Sequence, residues 1–481
     1  ADTAQLMEQL YLGTEGIFGI PVSVSATYVM LFILFGAMVE RTGTGRLFMD
    51  FAMAIAGHTA GGPAKVACIT SGMFGTISGS AVANVMTTGT FTIPLMKRIG
   101  YPPAFAGAVE AVASTGGQIM PPIMGAVAFV MADFLGISYM TVIGYALIPA
   151  VLYFLAVFMC VHFEARRLGM RGLPKADLPR LLDVLKERGH MFLPLVVICA
   201  FLFMGYSAPY SALAGIASVL ISAALRKNTR VELTPKNVVE GFIAGARNTV
   251  TVALACGCAG IVIGVISLTG LGIDFTSLVL KVSQDTLIMA LVLTMCAGII
   301  LGMGLPTTPA YVVQVSLLVP ALAKLGVALE AAHMFALYFA ILSAITPPVA
   351  LAVYAANGIS GAKLWETGVA AVKLGATGYI VPFMFVFGPS LLLIGTPMTI
   401  ATTAVTAIIG VVCLSSGLAG FLVAPLQWWQ RISLVGAALV LIKPGLTTDL
   451  IGIAIVAFVF ATNFALKKRE DAAASAGLSN T

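Results

Sequence analysis

Two stretches of this chain repeat each other, and each interrupts an apolar segment with a double proline. The first runs Ile93-Pro94-Leu95-Met96-Lys97-Arg98-Ile99-Gly100 and reaches Pro121-Pro122. The second runs Val319-Pro320-Ala321-Leu322-Ala323-Lys324-Leu325-Gly326 and reaches Pro347-Pro348. Each leading proline precedes its pair by 27 residues, and the copies are offset by 226. Thr42-Gly43-Thr44-Gly45 and Thr269-Gly270-Leu271-Gly272 echo each other at an offset of 227. Proline removes an amide donor and clashes with the preceding turn, so carbonyls near Gly116, Gly117 and Gln118 lose their helical partners. Short apolar segments broken by Gly and Pro at matching places in two halves are the strongest sequence pointer to a transport site.

Composition fixes the environment. The 481 residues are 59% hydrophobic and only 10% charged, too little charge to cover a soluble surface. The 50 glycines suit close helix packing. Net charge is +6, yet seven of the 26 basic residues crowd between His162 and His190 beside four acids, the pattern of one cytoplasmic loop. Nucleic acid is not an expected partner; the lipid bilayer is. Cys256 and Cys258 lack a second pair or nearby histidines and read as small packing residues, not a metal site. The chain begins Ala1-Asp2-Thr3, so it is expected to be a processed piece or a fragment of a longer membrane protein.

Along the chain, residues 1–20 read as an interfacial segment and Val22 to Val39 as the first span. Between Lys65 and Arg98 the apolar pattern is interrupted from Gly75 to Asn84. Arms of roughly 13–15 residues, about 20 Å of helix, are too short for a ~30 Å core, so a re-entrant hairpin with a polar tip is predicted. Pro102 to Met131 is a span broken at Pro121-Pro122. Spans follow at Tyr139–Val161, Met191–Tyr206 and Leu213–Leu225. Asn237–Asn248 reads as an interfacial helix and Val250–Leu268 as a separate span. A second hairpin is predicted from Leu287 to Lys324, with its tip at Gly302–Pro309, then a second broken helix from Ala331 to Ala356. Further spans fall at Gly375–Phe387, Thr399–Leu414 and Leu446–Leu466. With the basic loops placed in the cytoplasm, five spans separate the hairpins. Five is odd, so the repeats are inverted and the tips approach the midplane from opposite faces.

Half-helix N-termini attract anions, whereas carbonyls and helix C-termini bind cations. Ser78, Gly79, Ser80 and Asn84 offer small polar groups at the first tip, and Thr307 and Thr308 do so at the second. Glu110 sits roughly 13 Å into its span. A carboxylate there is expensive and marks a proton site, unless an amide or Lys65 pairs with it. Its repeat counterpart is Ala336, so it is no shared packing feature. Asp133 and Asp274 lie near span ends and read as solvated, Lys65 as a snorkelling lysine, and His333 as non-catalytic. No GxSxG, HExxH or Walker pattern occurs, which argues against an enzyme and leaves an ion gradient as the energy source.

The run Ser71-Gly-Met-Phe-Gly-Thr-Ile-Ser-Gly-Ser-Ala-Val-Ala-Asn84, with Pro94-Leu-Met-Lys-Arg-Ile-Gly-Tyr101 and Gly117-Gln-Ile-Met-Pro-Pro122, resembles the large membrane subunit of TRAP (tripartite ATP-independent periplasmic) transporters. Gly302-Met-Gly-Leu-Pro-Thr-Thr-Pro309 and Ile345-Thr-Pro-Pro348 match it in the second half. Ala108-Val-Glu-Ala-Val-Ala-Ser-Thr-Gly-Gly117 and Thr14-Glu-Gly-Ile-Phe-Gly-Ile-Pro21 look most like the TAXI-type branch, in which a small four-helix subunit is often fused ahead of the large one. The resemblance implies an elevator: a transport domain of two hairpins and two broken helices sliding against a scaffold. It implies a binding protein outside the membrane that delivers an organic anion, often a carboxylate such as glutamate or 2-oxoglutarate. It carries an ion- or substrate-binding role to Ser78, Gly79, Ser80, Asn84, Gly302, Gly304, Thr307 and Thr308, and with them Thr115, Gly116, Thr346 and Pro347. Glu110 departs from the wider family, where that helix is apolar and small, and so favours a proton over sodium alone.

The expected fold is therefore an all-α polytopic membrane protein of the inner membrane, with inverted repeats, an elevator-type transport domain and a scaffold. Its expected segments are 1–61 (interfacial helix and scaffold span), 62–134 (first repeat), 135–286 (scaffold), 287–358 (second repeat), 359–466 (C-terminal scaffold) and 467–481 (polar tail). No cofactor is expected, and the coupling ion is sodium or proton, with no metal beyond a sodium site at the hairpin tips. The alternatives are a divalent-anion/sodium symporter-like elevator needing no binding protein and, further off, a channel.

Overall fold

The computed structural model describes residues 2–478, apart from 232, 285 and 442–444; Ala1 and the end of the expected polar tail, 479–481, lie outside the described residues. Among the described residues every regular element is a helix. Among the described residues, seven helices are long and apolar enough to cross a membrane, including α1 (Ile20–Arg41), α7 (Tyr139–Arg167) and α10 (Pro235–Thr269). In hydrocarbon every backbone amide and carbonyl must be satisfied within the protein, and long helices do this at no cost in partners.

Local signals set the helix ends. After α2 (Thr44–Ala56), α3 (Gly62–Ser78) starts with Pro63 in its first turn, where the missing amide would have been unpaired anyway. It stops at Gly79, whose φ of +61° lets the chain turn left-handed. Ser80 then caps α4 (Ala81–Arg98) by accepting from the Ala83 amide at 3.3 Å. The two helices form a hairpin whose turn is only Gly79 and Ser80. Its arms of 17 and 18 residues are longer than the sequence suggested, because the Gly/Ser-rich run from Gly75 to Ser78 stays helical.

The first broken helix consists of α5 (Pro103–Gly116), an irregular stretch holding the cis Pro121-Pro122 bond, and α6 (Val127–Leu135). Tyr139, at the start of α7, donates its hydroxyl to the carbonyls of Pro122 (3.1 Å) and Ile123, in the non-helical stretch at the cis bond. Next come α8 (Leu193–Phe203), α9 (Ala208–Leu225) and α10. The expected interfacial helix at Asn237–Asn248 is not separate: α10 is one helix of 35 residues. Gly241 and Gly245 let it press against Met38 and Leu34 of α1, and Thr249 returns its hydroxyl to the Gly245 carbonyl at 2.9 Å.

The second half repeats the first. It comprises α11 (Leu271–Ser283), the hairpin of α12 (Leu287–Gly302) and α13 (Thr307–Lys324), and the broken pair α14 (Leu329–Leu342) and α15 (Leu351–Ser360) around the cis Pro347-Pro348 bond. α4 and α13 each hold 18 residues and α5 and α14 each hold 14, displaced by the same 226 residues. Lys97 ties the halves together: its ammonium meets the Ser360 carbonyl at 2.8 Å, at the negative end of α15. The segment Leu364–Phe387 (α16) and α17 (Pro397–Ala419) follow, and α18 (Trp428–Val440) and α19 (Leu446–Leu478) pack in series beyond α17.

Candidate functional site

The two hairpin turns open onto one cavity of about 270 Å³. One side is Ser78, Gly79, Ser80 and Ala81 of the first hairpin, Gly125 and Ala126 of the first break, Leu305 to Thr308 of the second hairpin, and Ala344 and Leu351 of the second break. The other side is α1, through Phe32, Ile33, Gly36 and Glu40, and α10, through Asn248 and Thr251. Glycine makes the fit at the first tip. A Cβ on Gly79 would lie 2.7 Å from the Gly125 Cα, and a Cβ on Gly75 would lie 2.4 Å from that of Gly117. Turn and break therefore touch backbone to backbone, which only glycine permits.

Four helices begin at this cavity. α4 starts at Ser80-Ala81, α6 at Ala126-Val127, α13 at Pro306-Thr307 and α15 at Ala350-Leu351. No side chain caps α6, α13 or α15. Each helix start brings a partial positive charge and unpaired amides to the cavity wall, which no Lys or Arg among the described residues lines. Its charged lining residue is Glu40, whose carboxylate accepts from Thr87 at 3.0 Å. Such a site suits a small anion with apolar parts, held by amides and by the hydroxyls of Ser78, Ser80, Thr307 and Thr308.

Glu110 lies elsewhere, wholly buried in the seam of α3, α4 and α5. Its carboxylate accepts from Ser71 (2.8 Å), Ser114 (3.2 Å), Thr88 and Thr92. No cation pairs with it among the described residues; Lys65 instead meets Thr59 and His162, each at 3.1 Å. Two of the hydroxyls have a second acceptor ready. Thr88 reaches the Asn84 carbonyl at 2.8 Å and Thr92 the Thr88 carbonyl at 3.1 Å. With the carboxyl ionised, the hydroxyls point inward; with one oxygen protonated, its single O–H donates to one hydroxyl, and Thr88 or Thr92 can accept it by turning its own proton to the nearby carbonyl. The cage can satisfy hydrogen bonding in either state.

The remaining sequence-derived residues divide. Asn84 is a brace: its amide donates to the Ser71 carbonyl on α3 (2.8 Å) and approaches the Ser114 carbonyl on α5 (3.5 Å). Gly302 packs against Ser343, which donates to its carbonyl at 3.0 Å, and Gly304 holds the second turn at φ +78°. Thr115 is buried with no hydrogen-bond partner for its hydroxyl, Gly116 presses on the Tyr153 ring, Thr346 meets Tyr379 at 2.6 Å, and Pro347 packs on Gly368. None of these seven lines the cavity. Asp133 and Asp274 are exposed, and His333 is buried against the Tyr311 hydroxyl at 2.7 Å. Gln118 was legible only as a site of loosened carbonyls, yet its side chain accepts from Thr307 and so joins the first break to the second tip. Its amide nitrogen has no partner. Replacing Asn84 with leucine removes the brace between α3, α4 and α5, with an expected loss of about 2 kcal/mol read from thermal unfolding in detergent.

Interrupted helices in two copies, with one polar cavity where their ends meet, define a polytopic membrane transporter in class. The family model for "Tripartite ATP-independent periplasmic transporter, DctM component" matches residues 1–400, and the chain belongs to that family. It is similar to a putative TRAP transporter large permease protein of Haemophilus influenzae, 24% identical over 81% of this chain and 88% of that one. It is similar to the C4-dicarboxylate TRAP transporter large permease protein DctM of Pseudomonas aeruginosa, 28% identical over 44% of this chain and 50% of that one. The sialic acid TRAP transporter large permease protein SiaM of Vibrio cholerae is 25% identical over 69% and 76% respectively. Among solved structures, the Alcanivorax borkumensis YdaH transporter shares the fold at a TM-score of 0.53 and 15% identity, over 76% of this chain and 85% of that one.

Proposed function

We propose that this chain is the membrane-embedded permease of a proton-driven importer of a small organic anion, with the cavity between the hairpin turns as its substrate site. The observation that carries the reading is the meeting of four helix N-termini at that cavity without a fixed cation. A carboxylate such as glutamate or 2-oxoglutarate fits this chemistry. Family membership supports delivery by an extracytoplasmic binding protein and assembly with a small four-helix membrane subunit in the inner membrane. Alternating access is by an elevator: hairpins and breaks carry the substrate past α1 and α10, which face the cavity but belong to neither hairpin. Ser78, Gly79, Ser80, Thr307 and Thr308 contact the substrate; Asn84, Thr115, Gly116, Gly302, Gly304, Thr346 and Pro347 shape the elements that present them.

Glu110 serves as the proton carrier, supported by the hydroxyl cage that accommodates both of its states. It also supports placement in the TAXI-type branch. A second reading, sodium coupling, is favoured by the four tip hydroxyls, which offer cation ligands without a fixed charge. Ser80→Leu and Thr308→Leu each place a bulky apolar side chain in the cavity. Uptake is expected to fall at least about 100-fold, with membrane insertion unchanged. Normal uptake by both variants would remove the cavity from the mechanism.

A further inference from the structure

A second hollow, sharing no lining residue with the first, runs between α3 and α7. It measures about 390 Å³, and its walls are almost wholly apolar, with Ile69, Gly72 and Met73 of α3 facing Phe154 and Phe158 of α7. The same two helix faces continue past its end into two cations, Lys65 and Arg166, with His162, neutral as the acceptor of the Lys65 ammonium, between them. Four residues before Ile69 is Lys65, and four residues after Phe158 is His162, with Arg166 one turn further. The Lys65 ammonium sits 5.0 Å from the centre of the Phe158 ring, so the cation touches the apolar wall itself.

This ammonium is buried, with Lys65 3% exposed, and no carboxylate lies within ion-pair distance among the described residues. Its partners, Thr59 and His162, carry no negative charge to offset it. Glu164, on the same helix as His162, is taken by Arg167 at 2.6 Å. The Tyr101 hydroxyl is buried without a hydrogen-bond partner among the described residues. It ends against Gly61, one helical turn before Lys65. A buried cation with no counter-charge is costly, and so is an orphaned hydroxyl. An anion at the ammonium supplies the missing counter-charge.

We propose that this groove holds one anionic phospholipid. Its acyl chain lies along Ile69, Met73, Phe154 and Phe158, and its phosphate sits at Lys65, His162 and Tyr101. The groove selects hydrocarbon, and the cations at its mouth select negative charge. A basic pocket between helices at the cytoplasmic side is a recognised form of lipid site. The cationic end adjoins the loop holding seven basic residues, which assigns the lipid to the cytoplasmic leaflet.

Native mass spectrometry of the full chain, released from detergent after exchange into defined lipids, tests the assignment. One phosphatidylglycerol is expected to stay bound to the wild type through washing, and phosphatidylcholine is expected to be retained about ten-fold less. Lys65→Gln, which removes the charge, and Ile69→Trp, which fills the groove and leaves the charge, are each expected to lower phosphatidylglycerol retention about ten-fold. Lys467→Gln, at a distant cation, leaves it unchanged. Equal retention of both lipids by the wild type overturns the proposal. So does wild-type retention by Ile69→Trp, a result that stands even where Lys65→Gln fails to fold.

Discussion

Glu110→Gln is expected to abolish proton-driven accumulation of substrate, at least about 100-fold, while the protein stays folded and inserted. Glutamine keeps the shape of the side chain and can still accept from Ser71 or Thr88 and donate to a neighbouring oxygen, so the cage closes around it. What it cannot do is change charge. In the wild type, four hydroxyls hold the carboxylate, and Thr88 and Thr92 have carbonyls to turn to when it takes a proton. The glutamine variant is fixed in the neutral arrangement. Exchange of labelled for unlabelled substrate across the membrane requires no net proton movement and is expected to survive. Measuring accumulation and exchange side by side separates the roles: loss of both marks Glu110 as a folding element, and loss of neither marks it as packing. Glu110→Ala behaves differently. It empties a buried site and strands hydroxyls, with an expected cost of about 3 kcal/mol visible in thermal unfolding.

Gly79→Val is expected to eliminate uptake as completely, through geometry instead of charge. Its φ of +61° is strained for any β-branched residue, at about 1–3 kcal/mol. Its new Cβ would also lie 2.7 Å from the Gly125 Cα, and backbone cannot move aside as a flexible side chain can. The first turn must then part from the first break, and the starts of α4 and α6 separate. A displacement of about 1 Å at a positioned site costs on the order of 100-fold. The second turn provides the control. Gly304 also has positive φ, at +78°, but a Cβ there meets only Val349, at 3.9 Å. Gly304→Ala therefore carries strain without a clash, and an uptake loss of no more than about ten-fold is expected. Uptake by the two variants in proteoliposomes, normalised to inserted protein, checks the ranking; equal losses would mean that the Gly79–Gly125 contact has no special part.

The hairpins and breaks were legible because their causes are local. A double proline breaks a helix through its own backbone, and a glycine that takes positive φ, as Gly79 does, ends one, so matching interruptions in two halves survive in the sequence as a pattern. The convergence of four helix starts was not legible, since it depends on how the repeats dock. Nor was the cage around Glu110: Ser71, Thr88 and Thr92 come from two other helices, and only Ser114 shares its helix. The spacing of Thr88 to Thr92 and of Glu110 to Ser114, each one helical turn, was the signal that could have found it. The error in α10 is instructive for the same reason. Asn237–Asn248 reads in the sequence as an interfacial helix, with the next span starting at Val250. The helix continues through this junction because Thr249 bonds its own backbone and Asn248 faces the cavity. A polar interruption in an apolar helix marks either a boundary or a lining, and only the partner across the gap decides which.

The most direct test of the account is substrate uptake into proteoliposomes holding this chain, its small membrane subunit and its binding protein, driven by a proton gradient alone or by a sodium gradient at equal pH on both sides. Accumulation with the proton gradient, and its loss in Glu110→Gln, is the expected result. Accumulation with the sodium gradient alone would contradict it, and would reassign the hydroxyls of Ser78, Ser80, Thr307 and Thr308 as ion ligands and Glu110 as packing.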